Sequence, residues 1–318
     1  MSLRLLLASA IVLVFGNARA DVERFESKFL TVKPWLSSAA YGYNLRSIDT
    51  KSELKWAPNT RAATGLDFYI HGWFGFGIGG LSELKSEDRI LKGDTTYTDY
   101  RFSFAFRSFQ VVANYQQFHG FYLENSEFVN PGRLPSDPYY QQPDMNSQNT
   151  SILFTWIMDP AKYSLEAATD QSVRQGTSGG SWLIGGSAQQ ARFNNSSPLV
   201  PAAVAGQFGA DASVTSADFT SLTVRGGYGH TFCWGTHWFG TTQGMFGLGT
   251  QIARYTDSAT HDDSQTVAKF DLLLSLGYNG DEFLSGLLVD LDVTNYRTRS
   301  LEIPVTLATL KLYAGTRF

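Results

Sequence analysis

The sequence has 318 residues, a formal net charge of −4, and 43% hydrophobic and 14% aromatic residues. The acidic excess argues against a nucleic-acid-binding protein. Because no long apolar run follows the first twenty residues, a helical membrane protein is excluded. The single cysteine, Cys233, excludes an intramolecular disulfide framework. The 30 glycines and the aromatic content are typical of strands with aromatic girdles and tight turns.

The N-terminal residues have the pattern of an export signal. Arg4 supplies a positive charge, residues 5–15 form an apolar segment too short to span a bilayer comfortably, and Ala18-Arg19-Ala20 is a small-x-small cleavage site. We therefore predict a cleaved signal peptide over residues 1–20, with a retained membrane anchor as the alternative. Residues 21–32 are predicted to form a short periplasmic lead.

From residue 33 onward, apolar and polar residues alternate with period two, the pattern of strands with one apolar and one polar face. The alternation is clearest at residues 99–107, 266–276 and 283–293, and in the final stretch, residues 303–318. That stretch ends on the aromatic Phe318. It resembles the closing strand of bacterial outer-membrane barrels, whose terminal aromatic residue is read by the assembly machinery. An edge strand of a soluble sandwich is the alternative.

The alternation yields about 13 segments of roughly ten residues, the length that a tilted strand needs to cross a bilayer. Residues 163–170 and 181–190 are two of them, and residues 122–147 are predicted to be a long external loop. Because single-chain bacterial barrels have an even number of strands, one crossing is missing, and we assign it to residues 193–217. We predict an all-β fold, a single closed antiparallel transmembrane β-barrel of about 12–14 strands over residues 33–318.

Three short stretches resemble one family. They are Trp56-Ala57-Pro58-Asn59, the run YQQFHGFYL from Tyr115 to Leu123, and the run RQGTSGGS from Arg174 to Ser181. Together they resemble the bacterial family known as domain of unknown function 4421. The chain departs from the family pattern at His119, where Lys is expected, and at Gly179, where Ala is expected. The resemblance implies an outer-membrane barrel and implies no activity.

The predicted inward faces carry charges of both signs in alternation. A wide pore usually separates the two signs across a constriction, so we interpret these faces as an interior filled by salt bridges, with a narrow solute path as the alternative. Lys269 and Asp271 are predicted to lie beside Asp290 and Asp292 of the next strand. The candidate lumen and ligand residues on these faces are Arg101, Glu166, Asp170, Arg225, Lys269, Asp271, Asp290, Asp292 and Lys311, with Lys162 and Arg317 on the same faces.

A second candidate site is the run from Arg174 to Ser181, which we predict to lie at an extracellular turn. Arg174, Gln175 and Ser178 offer a guanidinium, an amide and a hydroxyl, which suit an anionic headgroup or a saccharide. The same groups equally suit the capping of a tight loop, which we favour.

Enzymatic and metal-binding functions have weaker support. A lipid-modifying enzyme needs a nucleophile and a base near the outer leaflet. His119, at the predicted extracellular end of its strand, is the one plausible base, and no serine accompanies it. His261, Asp262 and Asp263 suit a metal, but an exposed cluster of this kind is more typical of a solvated loop.

The sequence therefore predicts a narrow channel, transport or structural envelope barrel in the outer membrane of a Gram-negative bacterium. A lipase- or acyltransferase-type enzyme and a surface-interaction protein are the alternatives. The expected partners are outer-membrane lipid, lipopolysaccharide and, through the C-terminal strand, the barrel-assembly machinery. No cofactor, metal or nucleic acid is expected.

Overall fold

The computed structural model describes residues 22–24, 28–60, 62–71, 73–81, 86–257 and 259–318. The predicted signal peptide lies outside these residues, as do several residues of the predicted lead. The described strands are β1 (Val22–Arg24), β2 (Leu30–Ser47), β3 (Glu53–Ala57), β4 (Ala63–Ile70), β5 (Phe74–Leu81), β6 (Thr96–Phe106), β7 (Phe109–Leu123), β8 (Gln141–Ile157), β9 (Val173–Gln175), β10 (Gly179–Asn194), β11 (Ser216–Trp234), β12 (Trp238–Thr256), β13 (Thr260–Asn279), β14 (Phe283–Arg297) and β15 (Leu301–Arg317). Two short helices, α1 (Ser86–Lys92) and α2 (Leu165–Thr169), lie between them.

Twelve of these strands form one closed antiparallel ring. From β4 to β15 each ring strand pairs with the next, and β8 pairs with β10 across the intervening insert. The ring closes at β2, which pairs with β4 on one edge and with β15 on the other. The predicted closed barrel is confirmed, at the lower end of the predicted range of strand numbers. Among the described residues, no helix is long and apolar enough to cross a bilayer.

Two predictions about individual strands are wrong. Residues 163–170 are not a crossing, because they contain the helix α2, which lies inside the barrel. Residues 193–217 contain no additional strand; between β10 and β11 the chain forms a loop with two 3-10 turns, at Ala202–Gln207 and Gly209–Ser213. The two errors are connected, because the false strand at 163–170 made the count odd and so demanded a missing crossing.

The two ends of the ring differ in the length of their connections. Four of the five connections at one end are turns of two or three residues, 71–73, 107–108, 235–237 and 280–282, and the fifth is residues 158–178. Phe318 also lies at this end, where its amide nitrogen donates to the Leu30 carbonyl at 2.8 Å. We call it the periplasmic end, because outer-membrane barrels have short periplasmic turns. The extracellular end carries the long connections 82–95, 124–140 and 195–215, together with the short connections 257–259 and 298–300. The long loop predicted at 122–147 is shorter, since β8 begins at Gln141.

The outer surface of the ring carries an apolar belt. Its members include Phe74, Phe102, Phe104, Ile152, Phe154, Ile184, Leu222, Val224, Phe246, Leu248, Phe270, Leu274, Leu276, Leu310 and Leu312, all exposed. Five of the seven tryptophans form a girdle at the periplasmic edge of the belt: Trp73, Trp156, Trp182, Trp234 and Trp238. An apolar belt with an aromatic girdle is the surface that a membrane-spanning barrel presents to lipid.

The ring narrows above the belt from twelve strands to ten. The strand β3 pairs with the extracellular part of β2 and with the end of β7. The strand β4 pairs with the periplasmic part of β2. The hairpin of β5 and β6 is inserted only in the lower part. Towards the extracellular end β3 therefore replaces the three strands β4, β5 and β6, and the ring has ten strands. We call this ten-stranded part the collar.

A hydrogen-bonded joint closes the wall where the ring changes width. The amide nitrogen of Asn59 donates to Thr95 Oγ1 at 2.8 Å, and that hydroxyl donates to the Gly120 carbonyl at 2.8 Å. Asn59 Nδ2 donates to the Gly93 carbonyl at 2.8 Å. Gly120 has a φ of +89°, and a Cβ there would lie 2.0 Å from the Asp94 carbonyl oxygen. Two of the three family-like stretches thus meet at one joint, and their roles in it are structural.

Candidate functional site: the barrel lumen

A layer of ion pairs lines one wall of the lumen near its middle. Arg225 Nη1 donates to Asp271 Oδ2 at 2.8 Å. Lys269 Nζ lies 3.3 Å from Asp271 Oδ1 and donates to Asp292 Oδ2. Lys269 is 2% exposed and Arg225 is 3% exposed. These four residues were predicted to face inward, and the structure brings them together into one network.

A second ion pair in the lumen joins Lys311 to Asp67, a residue that was not among the predicted lumen residues. Lys311 Nζ donates to Asp67 Oδ2 at 3.0 Å, and Trp35 Nε1 donates to Asp67 Oδ1 at 3.0 Å. The Lys311 ammonium also lies 4.3 Å from the centre of a Trp35 ring. Asp67 alternates with Leu66 and Phe68, so the period-two pattern contained the signal that places Asp67 inside the barrel.

The insert between β8 and β10, residues 158–178, fills the periplasmic part of the lumen, and we call it the plug. Every residue of α2 is buried, and Ser164 caps its N-terminus by accepting from the Ala167 amide. Lys33 Nζ donates to the carbonyls of Thr169 and Asp170, at 3.3 and 3.1 Å. Gln110 Nε2 donates to Asp170 Oδ2 at 3.3 Å. Glu166 and Asp170, predicted on a lumen-facing strand, lie in the lumen on this helical segment instead.

The periplasmic side of the plug is tied to the last strands of the barrel. The Arg317 guanidinium donates to the carbonyls of Gln171 and Gly280. Asn279 Nδ2 donates to the Val173 carbonyl at 2.9 Å. Below this contact β9 pairs with β1 in a separate two-stranded sheet. The plug is therefore held by hydrogen bonds on its lumen side and on its periplasmic side.

The run from Arg174 to Ser181 lies at the periplasmic end, so its predicted extracellular position is wrong. The reason is the false strand at 163–170, which reversed the direction assigned to this part of the chain. Arg174 Nη1 bonds to Asp281 Oδ1 at 2.7 Å. Gln175 accepts from the Ser164 amide at 2.9 Å and donates to two carbonyls of the plug. Ser178 Oγ accepts from the Cys233 amide at 2.8 Å. These contacts fit the loop-capping interpretation.

An apolar cluster closes the extracellular part of the lumen, and we call it the cap. Tyr41 stacks on Phe118 at a centroid distance of 4.2 Å, and Phe219 stacks on Tyr296 at 4.9 Å. The connection 195–215 folds over the cluster and contributes Leu199, Val200, Val204, Phe208, Ala212 and Val214. All members of the cluster are at most 8% exposed, so water is excluded from this level of the barrel.

Between the cap and the plug, several inward-facing polar residues are partly exposed. The accessible fraction of the side chain is 29% for Asp292, 17% for Lys311 and 15% for Asp271. Arg101 and Asp290 are also half-buried. Because these residues alternate with the lipid-facing residues of their strands, their exposed surface faces an internal space. We call this space the lumen chamber.

The remaining candidate residues do not form a catalytic or metal-binding group. His119 is exposed on the outer face of β7, with Thr96 and Asn146 opposite it on the neighbouring strands. His261, Asp262 and Asp263 lie on β13 and not in a loop, and Asp262 pairs with Arg254 at 2.8 Å. The described residues contain no group of three His, Cys, Asp or Glu side chains that could hold a metal ion. Lys162 lies at a periplasmic turn, 3.2 Å from Asp159.

Comparison with known proteins finds a family model that matches this chain. The family model described as Domain of unknown function (DUF4421) matches residues 22–318. The chain belongs to this family. Membership confirms the resemblance carried by the three short stretches. The closed ring with its lipid-facing belt makes the chain an outer-membrane barrel, and no curated protein matches it.

Solved outer-membrane barrels align with the chain at low identity. The outer membrane protease OmpT from Escherichia coli has a TM-score of 0.41 and 5% identity, covering 91% of this chain and 97% of OmpT. The toluene transporter TodX from Pseudomonas putida has a TM-score of 0.30 and 9% identity, covering 91% of this chain and 90% of TodX. The attachment invasion locus protein Ail of Yersinia pestis has a TM-score of 0.25 and 14% identity, covering 66% of this chain and 97% of Ail. All three scores are below 0.5, so none of them bears on the role of this chain.

Proposed function

We propose that this outer-membrane barrel is closed in its resting form and acts through its extracellular surface. The observation that carries the proposal is α2, seated in the lumen with every residue buried. The cap blocks the lumen above the plug, so a solute would have to pass two barriers. An open pore keeps its inward charges hydrated, whereas Lys33, Arg225 and Lys269 are 2–3% exposed.

The enzyme alternative has little support in this geometry. A serine or histidine hydrolase needs its nucleophile and base within hydrogen-bond reach. His119 is exposed on the outer face of β7, and the residues opposite it on the neighbouring strands are Thr96 and Asn146. The charged groups inside the barrel are separated from the outer leaflet by the wall and the cap.

A second candidate, a gated path for a small polar solute, is favoured by the lumen chamber. The chamber presents partly hydrated charges of both signs, such as Asp292 and Lys311, between two removable barriers. In that case the plug would move during transport, which requires breaking its hydrogen bonds, the Arg174–Asp281 ion pair and the packing of Tyr163 and Leu165 against the wall.

Swelling of proteoliposomes in small sugars tests the proposal. We expect the wild-type barrel to admit none of them, in contrast to an open porin reconstituted as the control. A variant in which residues 160–177 are replaced by a short glycine-serine turn reports whether the cap alone closes the barrel. Swelling with the wild-type protein would contradict the closed barrel. Swelling with the turn variant alone would support the gated path.

A further inference from the structure

One flank of the extracellular end exposes large apolar side chains. In the extracellular connections, the large apolar side chains that the structure shows as exposed are Ile90 at 69%, Leu134 at 61% and Tyr140 at 38%. All three belong to α1 or to the connection 124–140. The two segments are joined, because the Tyr139 amide donates to the Leu91 carbonyl at 2.8 Å.

The same flank holds two cations on the faces of tyrosines. Arg133 lies 3.9 Å from the centre of the Tyr139 ring. Lys92 Nζ lies 5.0 Å from the centre of the Tyr122 ring and 5.7 Å from that of Tyr139. The two rings contact each other edge to face at 5.2 Å. We call Ile90, Lys92, Tyr122, Arg133, Leu134, Tyr139 and Tyr140 together the outer flank.

In the part of the chain that the structure describes, neither of these two cations has an acidic partner. Among the described residues, no carboxylate lies within 4.0 Å of Lys92 or Arg133. Arg133 donates to the carbonyls of Asp137 and Pro138, at 2.6 and 3.2 Å, which leaves its charge unpaired. The contrast on the same helix is Arg89, which donates to both carboxylate oxygens of Asp94 and lowers the pKa of Asp94.

The outer flank faces sideways, above the apolar belt. Phe121 and Leu123 belong to the cap inside the barrel, so Tyr122 between them points outward. Tyr122 is seven residues beyond Tyr115, an outward-facing aromatic of β7 near the upper edge of the belt. At about 3.3 Å per residue along a tilted strand, the flank lies about 20 Å above that edge. This height is beyond the head-group layer of a phospholipid, which adds roughly 5–8 Å on each side of the hydrocarbon core, and at the level of the outer sugars of a glycolipid.

We propose that the outer flank binds the phosphorylated sugar head group of lipopolysaccharide in the surrounding outer leaflet. Lys92 and Arg133 bind phosphate, and the fork of the guanidinium suits two phosphate oxygens. Tyr140, Ile90 and Leu134 offer apolar surface to the C–H faces of sugar rings. The inference rests on the proposed function in one respect: the barrel acts through its extracellular surface.

Binding of purified lipopolysaccharide to the barrel in detergent, measured by titration, tests the proposal. The double variant Lys92→Ala/Arg133→Ala should bind about 25-fold more weakly than wild type, because each cation near an anionic surface contributes about fivefold. The matched control is Lys55→Ala, an exposed collar lysine whose Nζ lies 4.0 Å from Glu53. It should bind as the wild type does. A heat-dependent shift in gel mobility checks that each variant is folded.

Two further ligands identify what is recognised. Dephosphorylated lipopolysaccharide should bind wild type as weakly as the double variant binds the intact lipid. The phosphorylated oligosaccharide released from the lipid should retain most of the affinity, since the flank contacts the head group. Two results would overturn the proposal: equal affinity of wild type and the double variant for the intact lipid, or equal affinity of wild type for the intact and the dephosphorylated lipid. A conducting wild type would overturn the closed barrel without changing these titrations, so the two failures are distinguishable.

Discussion

At the scale of single residues, Lys269 shows how this barrel keeps a charge in its interior. Its ammonium is 2% exposed and contacts the carboxylates of Asp271 and Asp292. The inward position and the acidic partners were predictable, because both follow from period-two alternation on two strands that are adjacent in the chain. Asp67 and Lys33 were not predicted, because Lys311, the partner of Asp67, lies on β15, which approaches β4 only when the ring closes, and the partners of Lys33 are carbonyls of the plug.

We expect Lys269→Ala to lower the free energy of unfolding by about 3 kcal/mol, because it leaves Asp292 without its cation and Asp271 with Arg225 as its remaining cation. Thermal unfolding in detergent measures the change. The matched control is Lys162→Ala at a periplasmic turn, where the lysine side chain is 38% exposed and 3.2 Å from Asp159. An exposed pair of this kind contributes less than about 1 kcal/mol. Equal effects of the two substitutions would mean that Lys269 is hydrated.

Gly120→Ala should destabilise the joint where the ring narrows, by roughly 1–3 kcal/mol, because φ is +89° and the new Cβ would meet the Asp94 carbonyl at 2.0 Å. Gly226→Ala on the outer wall is the control, since a Cβ there meets nothing within 4 Å. Unfolding transitions of the two variants measure the difference. A Gly120→Ala barrel as stable as Gly226→Ala would refute the described joint.

At the scale of elements, the long regular strands were predictable and the plug was not. The alternation at residues 266–276, 283–293 and 303–318 covers most of β13, β14 and β15, so the lipid-facing and lumen-facing residues of these strands are clear. The helix α2 is buried on all sides, so no apolar stripe of helical period marks it, and Ser164, Glu166 and Asp170 alternate with other residues as they would in a strand. That single ambiguity also moved Arg174, Gln175 and Ser178 to the wrong end of the barrel.

The plug is predicted to stay seated through the contacts of Lys33 and Arg317. In a Cys233→Ser background, Ala168→Cys, at a site 0% exposed in the wild type, should react slowly with a maleimide. Adding Lys33→Met and Arg317→Ala should raise the labelling rate about tenfold or more, because a hydrogen bond to a charged group contributes roughly 1.5–3 kcal/mol.

Thr177→Cys, on the exposed part of the plug, serves as the control for reagent access and should react quickly in both backgrounds. Fast labelling of Ala168→Cys without the two additional substitutions would mean that the plug leaves the lumen readily.

At the scale of the whole molecule, the barrel spans the membrane with twelve strands and narrows to ten in its collar. The closed ring was predictable, because alternation, strand length and the final strand agreed with one another. The narrowing was not predictable, because it depends on β3 pairing with β7, in which Trp56 lies opposite Leu123, 67 positions further along the chain. A cap and a plug then close the two halves of the lumen.

Single-channel recording in planar bilayers tests this closed lumen most directly. Wild-type protein, inserted at a level at which an open porin gives clear steps, should show no steady conductance. The physical reason is that the lumen is closed by the cap, with every member at most 8% exposed, and by α2, all of whose residues are buried. Steady single-channel steps that grow with salt concentration would contradict the account, since they would require a continuous water path past Lys33 and Lys269.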